Sequence, residues 1–145
     1  MNDYDVTAES TAPPSAVWAL LLDPRTWPEW TAIDALEPAR SEGLSPDGRD
    51  GVGAIRAFRT GDVVTTERIT ALEPECRFAY EGTENPYMSG YRAAVELAGL
   101  PGGGTRIRWH GTYTVPPEMR EYFQGYLGDV MQDMANGLAA RATLG

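Results

Sequence analysis

Lysine is absent from this chain: all twelve cationic side chains among its 145 residues are arginine. Chemistry through a lysine Schiff base is therefore excluded, as is the lysine of a phosphate-binding loop. Cysteine occurs once, at Cys76, so no intrachain disulfide can form. Histidine also occurs once, at His110, which leaves little material for a serine or cysteine triad. No cluster of residues has metal-ligand spacing, and the glycine run Gly102 to Gly104 falls in a hairpin turn rather than between a strand and a helix. Neither a metal nor a cofactor is expected. No apolar run approaches the roughly 20 residues that span a bilayer. Met1 to Glu9 has neither the basic start nor the apolar stretch of a signal peptide, so a soluble cytoplasmic protein is the expectation. The net charge of −9 and pI near 4.5, with scattered arginines, argue against nucleic acid or an anionic membrane surface as partner.

What is present begins with one long helix, Pro116 to Ala142. Met119, Tyr122, Phe123, Tyr126, Leu127, Val130, Met131, Met134, Leu138 and Ala142 recur at the three/four spacing of a single apolar face. At about 1.5 Å per residue it would be about 40 Å long, and its stripe needs a cover. Three glycines interrupt it, Gly125, Gly128 and Gly137, each costing about 1 kcal/mol relative to alanine, and close packing is the expected reason. At the other end of the chain, Asp3 to Ser10 alternates as a first strand with Tyr4, Val6 and Ala8 on one face. A helix from about Pro13 to Leu22 follows, capped by Thr11. A second short turn runs through Trp27 and is stopped by Pro28. Trp27 and Trp30 are expected to wedge this helix pair against the rest of the fold.

Between these ends the sequence reads as a meander of six strands. They lie near Ile33 to Ser41, Gly53 to Thr60, Val63 to Leu72, Cys76 to Thr83, Tyr91 to Leu97 and Thr105 to Val115. Gly61-Asp62, Glu73-Pro74-Glu75 and Pro101 to Gly104 supply tight reversals; the longer connections, Glu42 to Val52 and Glu84 to Gly90, are expected at the surface. The fold class is thus α+β: a curved antiparallel sheet of about seven strands around a long C-terminal helix, with two short helices after the first strand, in one domain over 1–145.

If residues 61 and 62 form the turn, Phe58 faces Thr65, Arg56 faces Glu67 and Ala54 faces Ile69, all on one side of the sheet. Ile69 and Ala71 then oppose Tyr80 and Phe78. The last hairpin sets Val95 near Trp109, Ala93 near Gly111 and Tyr91 near Tyr113, with His110 turned outward. The face so assembled carries Tyr80, Tyr91 and Tyr113, and the helix adds Tyr122 and Tyr126, although a buried tyrosine hydroxyl needs a partner. An Arg56/Glu67 pair on that face has two readings: a wet or ligand-filled cavity, or an ordinary bridge at a strand edge near solvent.

Several local strings resemble the START, polyketide cyclase and birch-pollen-allergen superfamily (SRPBCC), in particular its bacterial polyketide cyclase/dehydrase-like branch. They are Ala12-Pro13-Pro14-Ser15-Ala16-Val17-Trp18 leading to Asp23-Pro24-Arg25-Thr26-Trp27-Pro28-Glu29-Trp30, then Gly51-Val52-Gly53, Thr66 to Pro74, and Gly104 to Trp109. The resemblance implies a helix-grip fold and a deep cavity between sheet and helix, in a group that spans lipid carriers, cyclases and dehydratases. These strings mark scaffold, and no catalytic motif of the family is present to carry over.

Together these readings favour a protein that binds a hydrophobic, aromatic or polycyclic small molecule. Phe58, Phe78, Tyr91, Trp109, Tyr122, Phe123, Tyr126, Val130 and Met131 are the expected ligand-binding residues. In an enzymatic form the ligand undergoes aldol-type cyclisation or dehydration. Glu67 is then the general base, Arg56 orients it or holds an enolate oxygen, and Tyr80 or Tyr113 donates a proton. The alternatives are a non-catalytic carrier of lipid or another hydrophobic ligand, and a protein-interaction module. A monomer or weak homodimer is expected.

Overall fold

The computed structural model describes residues 1–144. Seven strands build one antiparallel sheet: β1 (Asn2–Ser10), β2 (Ala35–Leu36), β3 (Ile55–Thr60), β4 (Val63–Glu73), β5 (Arg77–Glu84), β6 (Ser89–Gly99) and β7 (Thr105–Thr114). Their spatial order is β1-β7-β6-β5-β4-β3-β2, so the first strand closes beside the last and the chain otherwise meanders. Three helices accompany them: α1 (Pro14–Leu22), α2 (Trp27–Trp30) and α3 (Arg120–Arg141). This is the expected α+β helix-grip layout, a curved sheet and one long helix gripping a shared interior.

Local chemistry explains where the elements depart from expectation. The strand expected over Ile33 to Ser41 shrinks to two residues, because Pro38 lacks a donor and opens a 3-10 turn, Pro38–Arg40. Thr11 does not cap α1: Pro13 holds the capping position with no side-chain hydrogen bond, and Pro14 takes the first turn. Nor does Pro28 stop a helix. Asp23 accepts from the Arg25 amide to start the 3-10 turn Pro24–Thr26, and Pro28 then sits in the first turn of α2, where its missing N–H costs nothing. The long helix is straddled by 3-10 turns at Pro117–Met119 and Ala142–Leu144, which reproduces the expected span in three pieces.

The expected register holds through the β3/β4 hairpin, where Thr60, Phe58 and Arg56 face Val63, Thr65 and Glu67. Three irregularities then modify it, the first between Thr66 and Glu67, which face Glu84 and Gly82 of β5. Ile69 faces Tyr80 as expected, but an irregularity at Thr70 puts Ala71 opposite Ala79 and Leu72 opposite Phe78. Val95/Trp109 and Ala93/Gly111 pair as counted, whereas an irregularity between Ser89 and Arg92 takes Tyr91 out of the regular ladder with Tyr113. Gly90, at φ 62°, supplies the left-handed backbone there.

The core is centred on Trp27. Its ring stacks on Phe58 at 5.2 Å, meets Trp109 edge-on at 5.8 Å and lies 4.9 Å from Trp30. The two tryptophans do wedge α2 against sheet and helix, and both are buried. Gly137 makes that contact possible. A Cβ on it would stand 2.0 Å from the Trp30 carbonyl oxygen, so α2 and α3 meet backbone to backbone. Gly125 and Gly128 differ from the expectation of close packing, since a Cβ on either would meet nothing within 4 Å. The helix is stitched to β1 along its length: the Asn2 amide donates to the Arg120 carbonyl at 2.8 Å, Gln132 to that of Thr7 at 2.9 Å, and the Ser10 hydroxyl to that of Ala139 at 2.7 Å.

Candidate functional site

The C-terminal half of α3 is packed solid, with Ala135 and Leu138 fully buried. Its N-terminal half is not. Between it and the sheet lies an open cavity of about 950 Å³. The helix contributes Tyr122, Phe123, Tyr126, Leu127, Val130 and Met134, with Asp133 beside them. Opposite stand Trp30 at the end of α2, Thr31 to Ile33 from the loop after it, and Thr60, Val63 and Thr65 from the β3/β4 hairpin. Tyr87 and Met88 from the β5/β6 connection, with Met119, complete the mouth. The lining is mostly apolar and aromatic, with threonine hydroxyls and tyrosine tips as its polar groups. Tyr122 and Tyr126, one turn apart, stack at 5.6 Å with an 11° interplanar angle and are 59% and 51% exposed, so they form a rim rather than an inner wall.

Behind the cavity, the inner face of the sheet carries a buried polar cluster. Trp109 Nε1 donates to the Tyr80 hydroxyl at 3.1 Å, Tyr80 and Tyr91 share a hydrogen bond at 2.9 Å, and Tyr91 shares another with Tyr4. Gly111 makes room for it, since a Cβ there would lie 2.8 Å from the Tyr4 hydroxyl. Burial raises all three phenols above their ordinary value, and mutual repulsion and the nearby Glu67 raise Tyr80 and Tyr91 further. Glu67 itself is pushed from 4.5 up to about 7 by burial, partly offset by the charge of Arg56. Half-buried by surface area, it shares the inner face with Thr65 and the buried Ile69, but of these only Thr65 lines the cavity, and Arg56 and Tyr80 lie outside the lining as well. A carboxyl with such a pKa exchanges its proton near neutrality.

Arg56 and Glu67 are cross-strand neighbours, but they do not form the expected ion pair. The Arg56 guanidinium turns the other way. Its Nε donates to Asp50 at 3.1 Å and one terminal nitrogen to the Leu22 carbonyl at 2.6 Å, while its face covers Phe78 at 5.1 Å and Trp27 at 5.6 Å. Arg56 is 1% exposed, so the reading of a solvent-edge bridge falls. Asp50 is 2% exposed although it lies in the connection expected at the surface. It closes the loop over Arg56 and also accepts from the Ser45 amide at 2.7 Å. Burial pulls the guanidinium pKa down and Asp50 pulls it back up. Nη1 of Arg56 is buried with no partner among the described residues.

The remaining expected site residues divide clearly. Tyr122, Phe123, Tyr126 and Val130 line the cavity. Phe58, Phe78, Trp109 and Met131 pack in the core instead, and Tyr91 belongs to the phenol cluster. Tyr113 stands apart from that cluster: its hydroxyl donates to the Phe123 carbonyl at 2.9 Å and so fixes the first turn of α3. His110 faces outward and hydrogen-bonds Glu96 at 2.7 Å. On that outer face lies a depression of about 700 Å³, lined by Cys76 and by charged groups such as Arg108, which already pairs with Asp5 and Glu96. Sequence reasoning missed Tyr4, Asp50, Tyr87, Met88 and Asp133. Tyr4 was legible as an inward residue of β1; the others lacked any local signal.

The family model for polyketide cyclase/dehydrase and lipid transport matches residues 1–143. The chain belongs to that family. Among curated proteins nothing matches it. Solved structures share its fold at low identity. The Zhui aromatase/cyclase from Streptomyces sp. R1128 is 16% identical, with a TM-score of 0.80 over 98% of this chain and 93% of that one. A START superfamily protein from Mycobacterium smegmatis is 13% identical, with a TM-score of 0.78 over 99% of both chains. A protein from Thermobifida fusca is 24% identical, with a TM-score of 0.79 over 99% of this chain and 95% of that one. Membership in the family fits a ligand-binding domain of the polyketide cyclase/dehydrase or START type, and no described helix is long and apolar enough to cross a membrane.

Proposed function

We propose that this protein binds a hydrophobic, aromatic or polycyclic small molecule in the cavity between the sheet and the N-terminal half of α3. The cavity itself carries the reading: about 950 Å³, lined chiefly by aromatic and aliphatic side chains with a few hydroxyls, has the size and chemistry of a small-molecule site. Family membership and the fold shared with an aromatase/cyclase support the same ligand class. Titration with 9-anthracenemethanol, followed by its fluorescence, tests it. Saturable one-to-one binding is expected, and its absence, together with no co-purified ligand in native mass spectrometry, would defeat the reading.

One observation favours catalysis over simple carriage: an inward carboxyl with a pKa of about 7 beside three linked phenols. In this reading Glu67 takes the proton that makes a ligand carbonyl nucleophilic through its enolate, and Tyr80 returns a proton to the oxygen leaving or forming in the aldol or dehydration step. Arg56, held by Asp50 and buried outside the cavity lining, contributes only positive charge from behind. Tyr113 is not part of this reading, because its hydroxyl is committed to the backbone. Turnover of a polyketide-like substrate should fall at least about a hundredfold in Glu67→Gln. Unchanged turnover removes Glu67 from the mechanism; binding without turnover leaves a carrier.

A further inference from the structure

Asp133 is the one formally charged side chain among the described residues that line the cavity. No arginine reaches the lining, and Asp133 makes no ion pair or side-chain hydrogen bond among the described residues. It stands two turns of α3 beyond Tyr126, about 10 Å along the helix axis, on the same wall of the cavity. At the far end of that wall, Tyr122 and Tyr126 present a stacked, half-exposed aromatic pair, with Tyr87 and Phe123 adjoining them. The whole chain bears a net charge of −9, so the field at an open mouth attracts cations and repels anions.

We infer that the cavity selects a basic aromatic ligand, one that carries an amine, and discriminates against carboxylates, phosphates and other anionic ligands. The inference rests on the binding reading above and adds the ligand's charge to it. The apolar framework of such a ligand lies between α3 and the β3/β4 hairpin. Its ammonium group sits beside the Asp133 carboxylate, while the tyrosine pair at the other end of the wall packs against the aromatic framework. An anionic group at the same place finds no arginine or lysine, faces Asp133 and must lose hydration without a partner. Because Asp133 is exposed, its contribution is moderate and sensitive to salt.

Three probes with one three-ring framework test this: 9-(methylaminomethyl)anthracene as cation, 9-anthracenemethanol as neutral reference and 9-anthracenecarboxylate as anion. Dissociation constants are measured by fluorescence at low salt for the wild type, Asp133→Asn and Asp129→Asn. The last variant removes an equal charge from the exposed face of α3, outside the lining. The cation should bind about tenfold more tightly than the anion. Asp133→Asn should remove most of that gap, and Asp129→Asn should leave most of it. A gap unchanged in Asp133→Asn, an equal loss in both variants, or an anion that binds as well as the cation would each overturn the inference. If the neutral probe binds and the cation gains nothing, only this inference fails; if no probe binds, the cavity reading fails and takes this one with it.

Discussion

Glu67 stands where local sequence and tertiary environment disagree most. Its place on β4 was legible, because a two-residue turn at Gly61-Asp62 fixes the register and hence the face. What surrounds its carboxyl was not, since Arg56 chose Asp50, a residue from a loop with no pattern to mark it as buried. The consequence is measurable. The folded protein holds Glu67 at a pKa of about 7 against an ordinary 4.5, so between those values the native state binds more protons than the unfolded chain. Stability linked to this group is therefore fully present below the ordinary value and is lost as pH rises through about 7. Glu67→Gln removes that dependence. Relative to wild type the variant should gain stability from about pH 4 to about pH 8, by up to about 3 kcal/mol, in urea unfolding curves. A difference that stays flat across this window would show that the carboxyl titrates at its ordinary value. The same logic sets the direction for catalysis, because a base with this pKa loses activity as the medium becomes acidic.

Among the elements, α3 divides into two halves with different tasks, and its glycines report the division. Gly137 is required by the approach of the Trp30 carbonyl, whereas Gly125 and Gly128 face open space in the stretch that borders the cavity. Gly125→Ala and Gly128→Ala should each stabilise the fold by up to about 1 kcal/mol, the ordinary gain of alanine over glycine in a helix. Gly137→Ala should destabilise it by about 1–3 kcal/mol despite the same propensity gain, because a Cβ cannot fit against the backbone of α2. Thermal unfolding of the three variants checks the contrast, and a stabilised Gly137→Ala would refute the tight α2/α3 contact. The helix, its apolar stripe and its three glycines were all visible in the sequence through their period. Which glycine serves packing was not, because that depends on Trp30, more than a hundred residues away in the chain. The edge strand β2 shows the converse case, in which one proline outweighs a strand-like run and leaves only Ala35–Leu36 paired.

At the scale of the whole molecule, the order of the hairpin-linked strands followed from short connections and alternating faces, whereas the closing of β1 beside β7 carried no such local signal. The cavity carried none either. Its existence depends on how far the N-terminal half of α3 stands off the sheet, a distance set by Tyr113 tethering the Phe123 carbonyl and by Gly137 allowing close contact at the opposite end. The helix thus stays stitched to β1 and β7 along its length, and the open space lies between its N-terminal half and the β3/β4 hairpin. A space of about 950 Å³ is apolar contact that the fold forgoes, and a fold shaped for ligand occupancy should become more stable when a side chain fills it. Val130→Trp places an indole in that space from the helix wall. It should raise the melting temperature of the ligand-free protein by about 2–4 °C, equivalent to about 1 kcal/mol, and weaken 9-anthracenemethanol binding at least about tenfold. Calorimetry and the fluorescence titration measure the two effects on the same sample. Gain in stability with unchanged binding would place the ligand elsewhere, and loss of binding with lowered stability would mean that the indole strains the helix off the sheet. Only opposite movements of stability and affinity fit an interior kept open for its ligand.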